Sequence, residues 1–518
     1  MAFSQATLRL LCLLAAGLAT VAATKSIVSR RKRNPRRLPY PPGPKGRSFV
    51  GNLAQIPRVH AWLGYHELCK EYGDMVHLNV IGREILVLGS MKRVTDLLNG
   101  RAVNYSDRPV VPITELGGFD WSFPIMPYGP WWRQHRRAFH QHFNQNAVPK
   151  YYPIMYEERD IFLRKLKDDP RDWAEHVHSL FGTTLMRATY GFDDIGKNAS
   201  LIHLAEAVVR RVGGATIPGR YLVNAFPILK YVPGWMPGAK FQQELKDIAQ
   251  LNHEVVYTPF EDAKTNVANG QKGRHPNMAS TLIESLPDQS NSDRAQAETL
   301  ARNVCAISYI AGSETSIASA MALCCALANN PEVQKKAQAE LDIVLGPKRL
   351  PLITDRVELP YLNAVVKELA RWYTPAPVAL VHMNKEDDEY DGYFIPKGTT
   401  IFPNVWAIMH DPENFERPFD FIPERFLGGG DVGPATIDPN DTIFGFGRRV
   451  CPGKHLADTV IFLFAASILA NFDVSAPNDT DGNPLKVEIT PKETGAVAMP
   501  YPFECNFTVR PGREALHK

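Results

Sequence analysis

The chain has 518 residues, 44% of them hydrophobic and 22% charged, with a formal net charge of +3. This is an ordinary globular composition with a large core, and so small a charge over this length makes no whole-molecule case for a nucleic-acid partner. Seven scattered cysteines, an odd number without a C-x-x-C pair, argue against a disulfide scaffold and fit reduced, cytosol-facing thiols.

From Leu10 to Ala23 runs LLCLLAAGLATVAA, without a charge. Spanning a bilayer takes about 20 mostly apolar residues, so the stretch from Ala2 suffices with Arg9 at an interface. KSIVSRRKRNPRR follows, seven Lys or Arg in thirteen residues, a cluster that holds this end on the cytoplasmic side. A cleaved signal peptide has a similar apolar length but carries its basic residues before that stretch, not after it. The expectation is a transmembrane anchor over 1–24, then a basic, proline-rich linker over 25–47. Within the linker, LPYPPGPKG acts as a semi-rigid spacer.

Length alone allows about three domains of ~150 residues. No repeat or low-complexity linker divides 48–518, however, and SLPDQSNSDRAQ (285–296) reads as a surface loop, so one large domain is expected. Residues 75–90, β-branched around a central Gly, predict a hairpin; 387–408 has the same character, with turn signals at DG and PKG. Apolar spacing predicts helices over 152–189, 241–267, 296–328, 331–345, 361–373 and 454–471, with Cys324 and Cys325 as core residues. The fold class is mainly α with small β-sheets.

Four stretches carry chemistry. YGPWWRQHRR (128–137) places Trp132 and Arg136 on one helical face, Arg133 and Arg137 on another. AGSETS (311–316) puts Glu314 and Thr315 beside Gly312 in mid-helix, where glycine costs about 1 kcal/mol relative to Ala and a back-bonded Thr tends to bend the helix. A satisfied Thr beside a solvent-facing Glu and a strained functional spot are both open readings. KELAR sets Glu368 and Arg371 on one face, by itself a weak signal. FGFGRRVCPGKH (444–455) surrounds Cys451 with Arg448, Arg449 and three glycines. Positive charge and a helix start near Gly453 would lower the thiol pKa. One thiolate cannot build a structural zinc site, which takes four ligands, but it suits an axial position on haem iron. A buried Cys in a glycine turn is the plainer alternative.

FGFGRRVCPG matches F-x-x-G-x-R-x-C-x-G, and the other stretches fall in the same order and spacing. From Pro39 onward the chain therefore resembles the cytochrome P-450 family of haem-thiolate monooxygenases, membrane-anchored fungal members in particular. The resemblance implies that family's fold and a haem b whose iron takes Cys451 as axial ligand, with Gly312 and Phe444 beside it. It implies Trp132, Arg136, His382 and Arg449 at the haem propionates, although Met383 departs from the Arg the family often has there. Thr315 would hydrogen-bond bound oxygen and Glu314 would relay protons. Arg425, in FDFIPERF (419–426), would join Glu368 and Arg371 in a buried structural network.

The implied activity inserts one oxygen atom from O2 into a small lipophilic substrate, a terpenoid or other secondary metabolite. Its NADPH electrons would come from a separate membrane-bound reductase, with cytochrome b5 as a second donor, docked on Arg133, Arg137 and Lys454. The chain has no G-x-G-x-x-G after a strand, in keeping with electrons supplied by a partner. The pocket would be bounded by 107–125, 208–236, Ala311, 375–380 and 494–499, and LKYVPGWMPG (229–238) would dip into membrane lipid. The location implied is the endoplasmic reticulum membrane, with the body facing the cytosol and no nucleic acid as partner. The rivals are a haem-thiolate isomerase or dehydratase, which the Glu314–Thr315 pair argues against, and a non-catalytic haem sensor.

Overall fold

The computed structural model describes residues 32–215, 220–347, 349–428, 432–492 and 497–513. The expected anchor over 1–24 lies outside the described residues, as do 25–31 of the linker and parts of the two pocket segments 208–236 and 494–499. Among the described residues, ten helices have twelve or more residues. They are α1 (Ala61–Tyr72), α2 (Pro130–Phe143), α3 (Tyr152–Asp168), α4 (Trp173–Tyr190), α5 (Ile195–Ala215) and α6 (Lys240–Ala268), then α7 (Arg294–Asn329), α8 (Pro331–Leu345), α9 (Pro360–Trp372) and α10 (Lys454–Asn471).

The expected helix over 152–189 is two, α3 and α4, because Pro170 lacks an N–H and disfavours helix at the residue before it. Helices α1 and α5 fall outside the stretches singled out as helical; both carry internal glycines, which blur a helical pattern.

Strands β1 (Met75–Val80) and β2 (Arg83–Leu88) form the expected hairpin. The second β-rich stretch divides. Strands β4 (Asp388–Tyr390) and β5 (Tyr393–Ile395) pair with each other, whereas β6 (Thr400–Pro403) leaves them to run parallel to β2. β3 (His382–Met383) pairs antiparallel with β6, giving a four-stranded sheet in the order β1-β2-β6-β3. β7 (Phe472–Ser475) and β8 (Asn506–Val509) form a separate pair.

Helix α7 organises the helical part. Its first half, Ala301 to Ile310, lies in a core with α2, α4, α5 and α6. Its second half, Ile317 to Leu327, lies in another with α3, α8, α9 and α10, and holds Cys324 and Cys325 buried there. Both α7 and α10 are long and apolar enough to cross a membrane, yet most of each is buried inside the body. Between the two cores sits the turn carrying Ala311 to Ser316.

Candidate active site

Cys451 lies one turn before α10 starts at Lys454, with Gly453 as the cap. The loop before it is shaped by its backbone. The Cys451 N–H donates to the Phe444 carbonyl at 2.7 Å, which folds the loop back on itself. Gly445 and Gly447 have φ of 80° and 54°, the left-handed region. Gly447 also packs directly on the turn at Leu98: a Cβ there would sit 2.1 Å from the Leu98 carbonyl oxygen. Its N–H donates to Asn99 Oδ1 at 2.7 Å.

The charges near the sulfur differ from those the sequence led us to expect. Burial pushes the Cys451 thiol up, and the groups that pull it back are the Gly453 N–H, Arg136 and Lys454, not Arg448 or Arg449. Arg448 points outward, Nη1 donating to the Tyr128 hydroxyl at 3.0 Å. Arg449 turns inward, donating to the carbonyls of Ser106 (2.8 Å) and Met126 (2.7 Å). Arg136 reaches across from α2 to donate to the Val450 carbonyl. A metal bound at the sulfur would itself supply the charge that burial withholds.

Arg449 is the centre of a cationic cluster. It is only 8% exposed, its guanidinium lies 4.4 Å from the centre of the buried Trp132 ring, and its Nη1 is buried with no hydrogen-bond partner. Burial lowers its pKa to about 10, with Asp107 and Tyr128 opposing and Arg136 reinforcing the fall. His382 Nδ1 donates to the Tyr105 carbonyl at 2.7 Å, so its Nε2 can donate only as imidazolium. Burial and Arg108 hold that charged form well down.

Arg108 is the member the sequence reading missed. It is fully buried, bonded to the carbonyls of Pro124 (2.9 Å) and Leu380 (2.8 Å) and also to Val381; burial and Arg449 depress it strongly. A backbone bridge between Asp107 and Met383 sets Arg108 beside His382, and no local pattern signals a pairing across so long a stretch of chain.

At the middle of α7, Ala311 is exposed and Gly312 and Thr315 are half-buried, although the helix is buried on both sides. Thr315 Oγ1 donates to the Ala311 carbonyl at 3.2 Å. Glu314 is buried, not solvent-facing. A Cβ on Gly312 would lie 3.0 Å from Leu185 of α4, so the helices touch closely at this turn.

Glu368, Arg371 and Arg425 converge as one network, and Arg371 lies 5.3 Å from the centre of the Phe415 ring, in the same core cluster as Phe446 of the cysteine loop. Arg371 grips Glu368 with two bonds of 2.7 and 2.8 Å, and Arg425 Nε lies 3.3 Å from the same carboxylate. The remaining donors go to backbone carbonyls: Met409, Pro418 and Asp420 for Arg371, Glu416 and Arg417 for Arg425. The Ile422 N–H adds a third donor to the carboxylate at 2.8 Å.

A helical body with small sheets, one thiol capped by a glycine-turned loop, and buried cations beside it define a haem-thiolate type of protein. The chain belongs to the cytochrome P450 family, whose profile matches residues 41–507. It is 46% identical over 489 residues to the cytochrome P450 monooxygenase COX1 of Coprinopsis cinerea, covering 94% of each chain. It is 41% identical over 490 residues to COX2 of the same fungus, covering 94% of this chain and 92% of the other. Tryptamine 4-monooxygenase of Psilocybe cyanescens is 33% identical over 485 residues, with 92% and 94% covered. The chain is thus a monooxygenase, an oxidoreductase of a haem-iron family. Its residues fit that group: the unpartnered Arg449 Nη1 and the buried, crowded Arg108 guanidinium are positive groups in need of anions, as two propionates would provide, with His382 beside them.

Proposed function

We propose that this chain is an anchored haem-thiolate monooxygenase that oxidises a neutral, lipophilic secondary metabolite with electrons delivered from NADPH by a separate reductase. The observation that carries it is the isolated Cys451 thiol just before α10, two residues past an Arg449 whose buried Nη1 lacks a partner. Cys451 would bind the iron. Arg108, His382, Arg449 and Trp132 would receive the propionates, with Arg136 close by, and Phe444 and Gly312 would flank the ring. Bound haem would supply the activation of O2. Thr315 holds its hydroxyl at the open turn of α7, donating to the Ala311 carbonyl, and so can hold a proton there, with the buried Glu314 as the adjoining acid.

The wall sets the charge a substrate can carry. In 107–125, Glu115 and Asp120 are exposed, and Asp107 Oδ1 accepts the N–H groups of Arg108 (3.0 Å) and Tyr128 (2.8 Å). In that segment a cationic amine such as tryptamine would meet only the exposed Glu115 and Asp120 and an Asp107 already engaged by two N–H groups, which favours a neutral skeleton such as a terpenoid. Leu222, Phe226, Ile228, Tyr231, Trp235 and Met236 are all exposed beside the pocket segments, in keeping with a face that meets lipid. Arg133 and Arg137 are exposed and Lys454 half-buried on the sulfur side, a basic face suited to an acidic electron donor such as a flavoprotein reductase or cytochrome b5. The reduced carbon monoxide difference spectrum tests the core of the proposal. The wild type should give the red-shifted Soret band of thiolate ligation and Cys451→Ala should lose it; an unchanged band in that variant would refute it.

A further inference from the structure

The linker does not project from the body as a spacer; from Arg33 onward it lies on it. Asn34 and Leu38 bond each other through side chain and backbone (2.8 and 2.9 Å), the Pro39 carbonyl accepts the Phe394 N–H and the Pro42 carbonyl the His77 N–H, both at 2.8 Å. Tyr40 stacks on His77 with centroids 4.9 Å apart. The basic residues just before this pinned stretch end on the β4–β5 hairpin. Arg33 Nε donates to Asp387 at 2.8 Å, with Nη2 on the other oxygen, and Arg36 Nη1 donates to Glu389 at 2.8 Å. Strand alternation sorts the hairpin acids. Asp388 turns to Arg101 and the Tyr105 hydroxyl, while Asp387 and Glu389 face the linker. The bond to Arg33 holds the Asp387 carboxyl below the usual range.

We infer that the acidic face of this hairpin is a dock for the chain's own basic linker, in competition with anionic lipid. The magnitudes are what make it a switch. Both pairs are exposed, with the Arg33 side chain 38% and the Arg36 side chain 74% accessible, and such pairs are weak. An arginine near an anionic leaflet gains a similarly small stabilisation. The contest is nearly even, so lipid composition decides it. Over a neutral membrane Arg33 and Arg36 stay on Asp387 and Glu389, and the body is held close to its anchor. Over an anionic one they leave, and the body swings on the freed chain from a pivot at Leu38. The inference rests on the proposed N-terminal anchor.

The test uses full-length holoenzyme with spin labels on Pro35→Cys and Glu386→Cys, their separation read by pulsed electron resonance. It is measured in detergent, in phosphatidylcholine vesicles, and in phosphatidylcholine vesicles containing phosphatidylserine. A short separation is expected in detergent and in phosphatidylcholine, with the short population falling about fivefold when phosphatidylserine is present. Adding Asp387→Asn with Glu389→Gln should give the long separation in all three media. A separation indifferent to phosphatidylserine, or one that those two substitutions leave short, would overturn the dock. Failure of the chain to float with either vesicle would instead sink the anchor, while the detergent comparison would still report on the hairpin.

Discussion

Gly447 meets the Leu98 carbonyl so closely that no side chain fits, and its φ of 54° is one other residues rarely hold. Gly447→Ala should therefore cost several kcal/mol and release haem; thermal unfolding and haem content per chain measure both. Thr315→Ala removes the hydroxyl at the open turn of α7 while leaving the fold, so NADPH oxidation should outrun product and peroxide should appear; unchanged coupling would remove Thr315 from the reaction. Two histidines set a pH limit. Burial, with Lys150 beside it, lowers His142 to about 4, and burial, with Arg371 beside it, lowers His410 to about 3. Both are neutral in the fold. Their stabilisation is complete above the unfolded value of about 6.5 and is lost as pH falls through the window down to those folded values. The thermal midpoint should fall between about pH 6.5 and pH 4, and fall less in His142→Gln. At this scale Cys451 was legible because its loop needs glycines at fixed offsets. Arg108 was not, since its acceptors at 380 and 381 are its neighbours only after folding.

Helix α9 is joined to the segment 409–425 by Glu368, Arg371 and Arg425, three side chains at 0–1% exposure. Glu368→Gln would leave two buried guanidiniums against a neutral amide, a loss of about 3–5 kcal/mol. The expected result is a collapse in folded, haem-loaded yield, whereas Lys335→Gln, an exposed pair partner on α8, should change little. The network was half legible: the three-residue spacing announces an ion pair, while its burial was implied by the family resemblance alone and is shown by the packing. Long apolar helices such as α7 and α10 were plain in the sequence because their pattern is continuous. Helices α1 and α5 were hidden by internal glycines, and the division of the second β-rich stretch between two sheets depends on pairing with β2, three hundred residues away in sequence.

Over the whole molecule, the least legible relation was between linker and body: Arg33 and Asp387 are 354 positions apart, and a run of arginines after an apolar stretch reads first as a lipid-facing signal. Charge runs declare their sign in a sequence, not their partner. The pair Arg108 and Arg449, with neutral His382 beside it, has a consequence for how the protein is made. Positive groups crowded in a buried place oppose the closing of the fold until something negative sits among them. The cofactor is then a structural part as much as a reagent, and its supply should govern how much of the chain survives synthesis. Cells fed 5-aminolaevulinate, the porphyrin precursor, should accumulate more folded protein from the same message. An accumulation indifferent to the precursor would show that the cluster closes unaided.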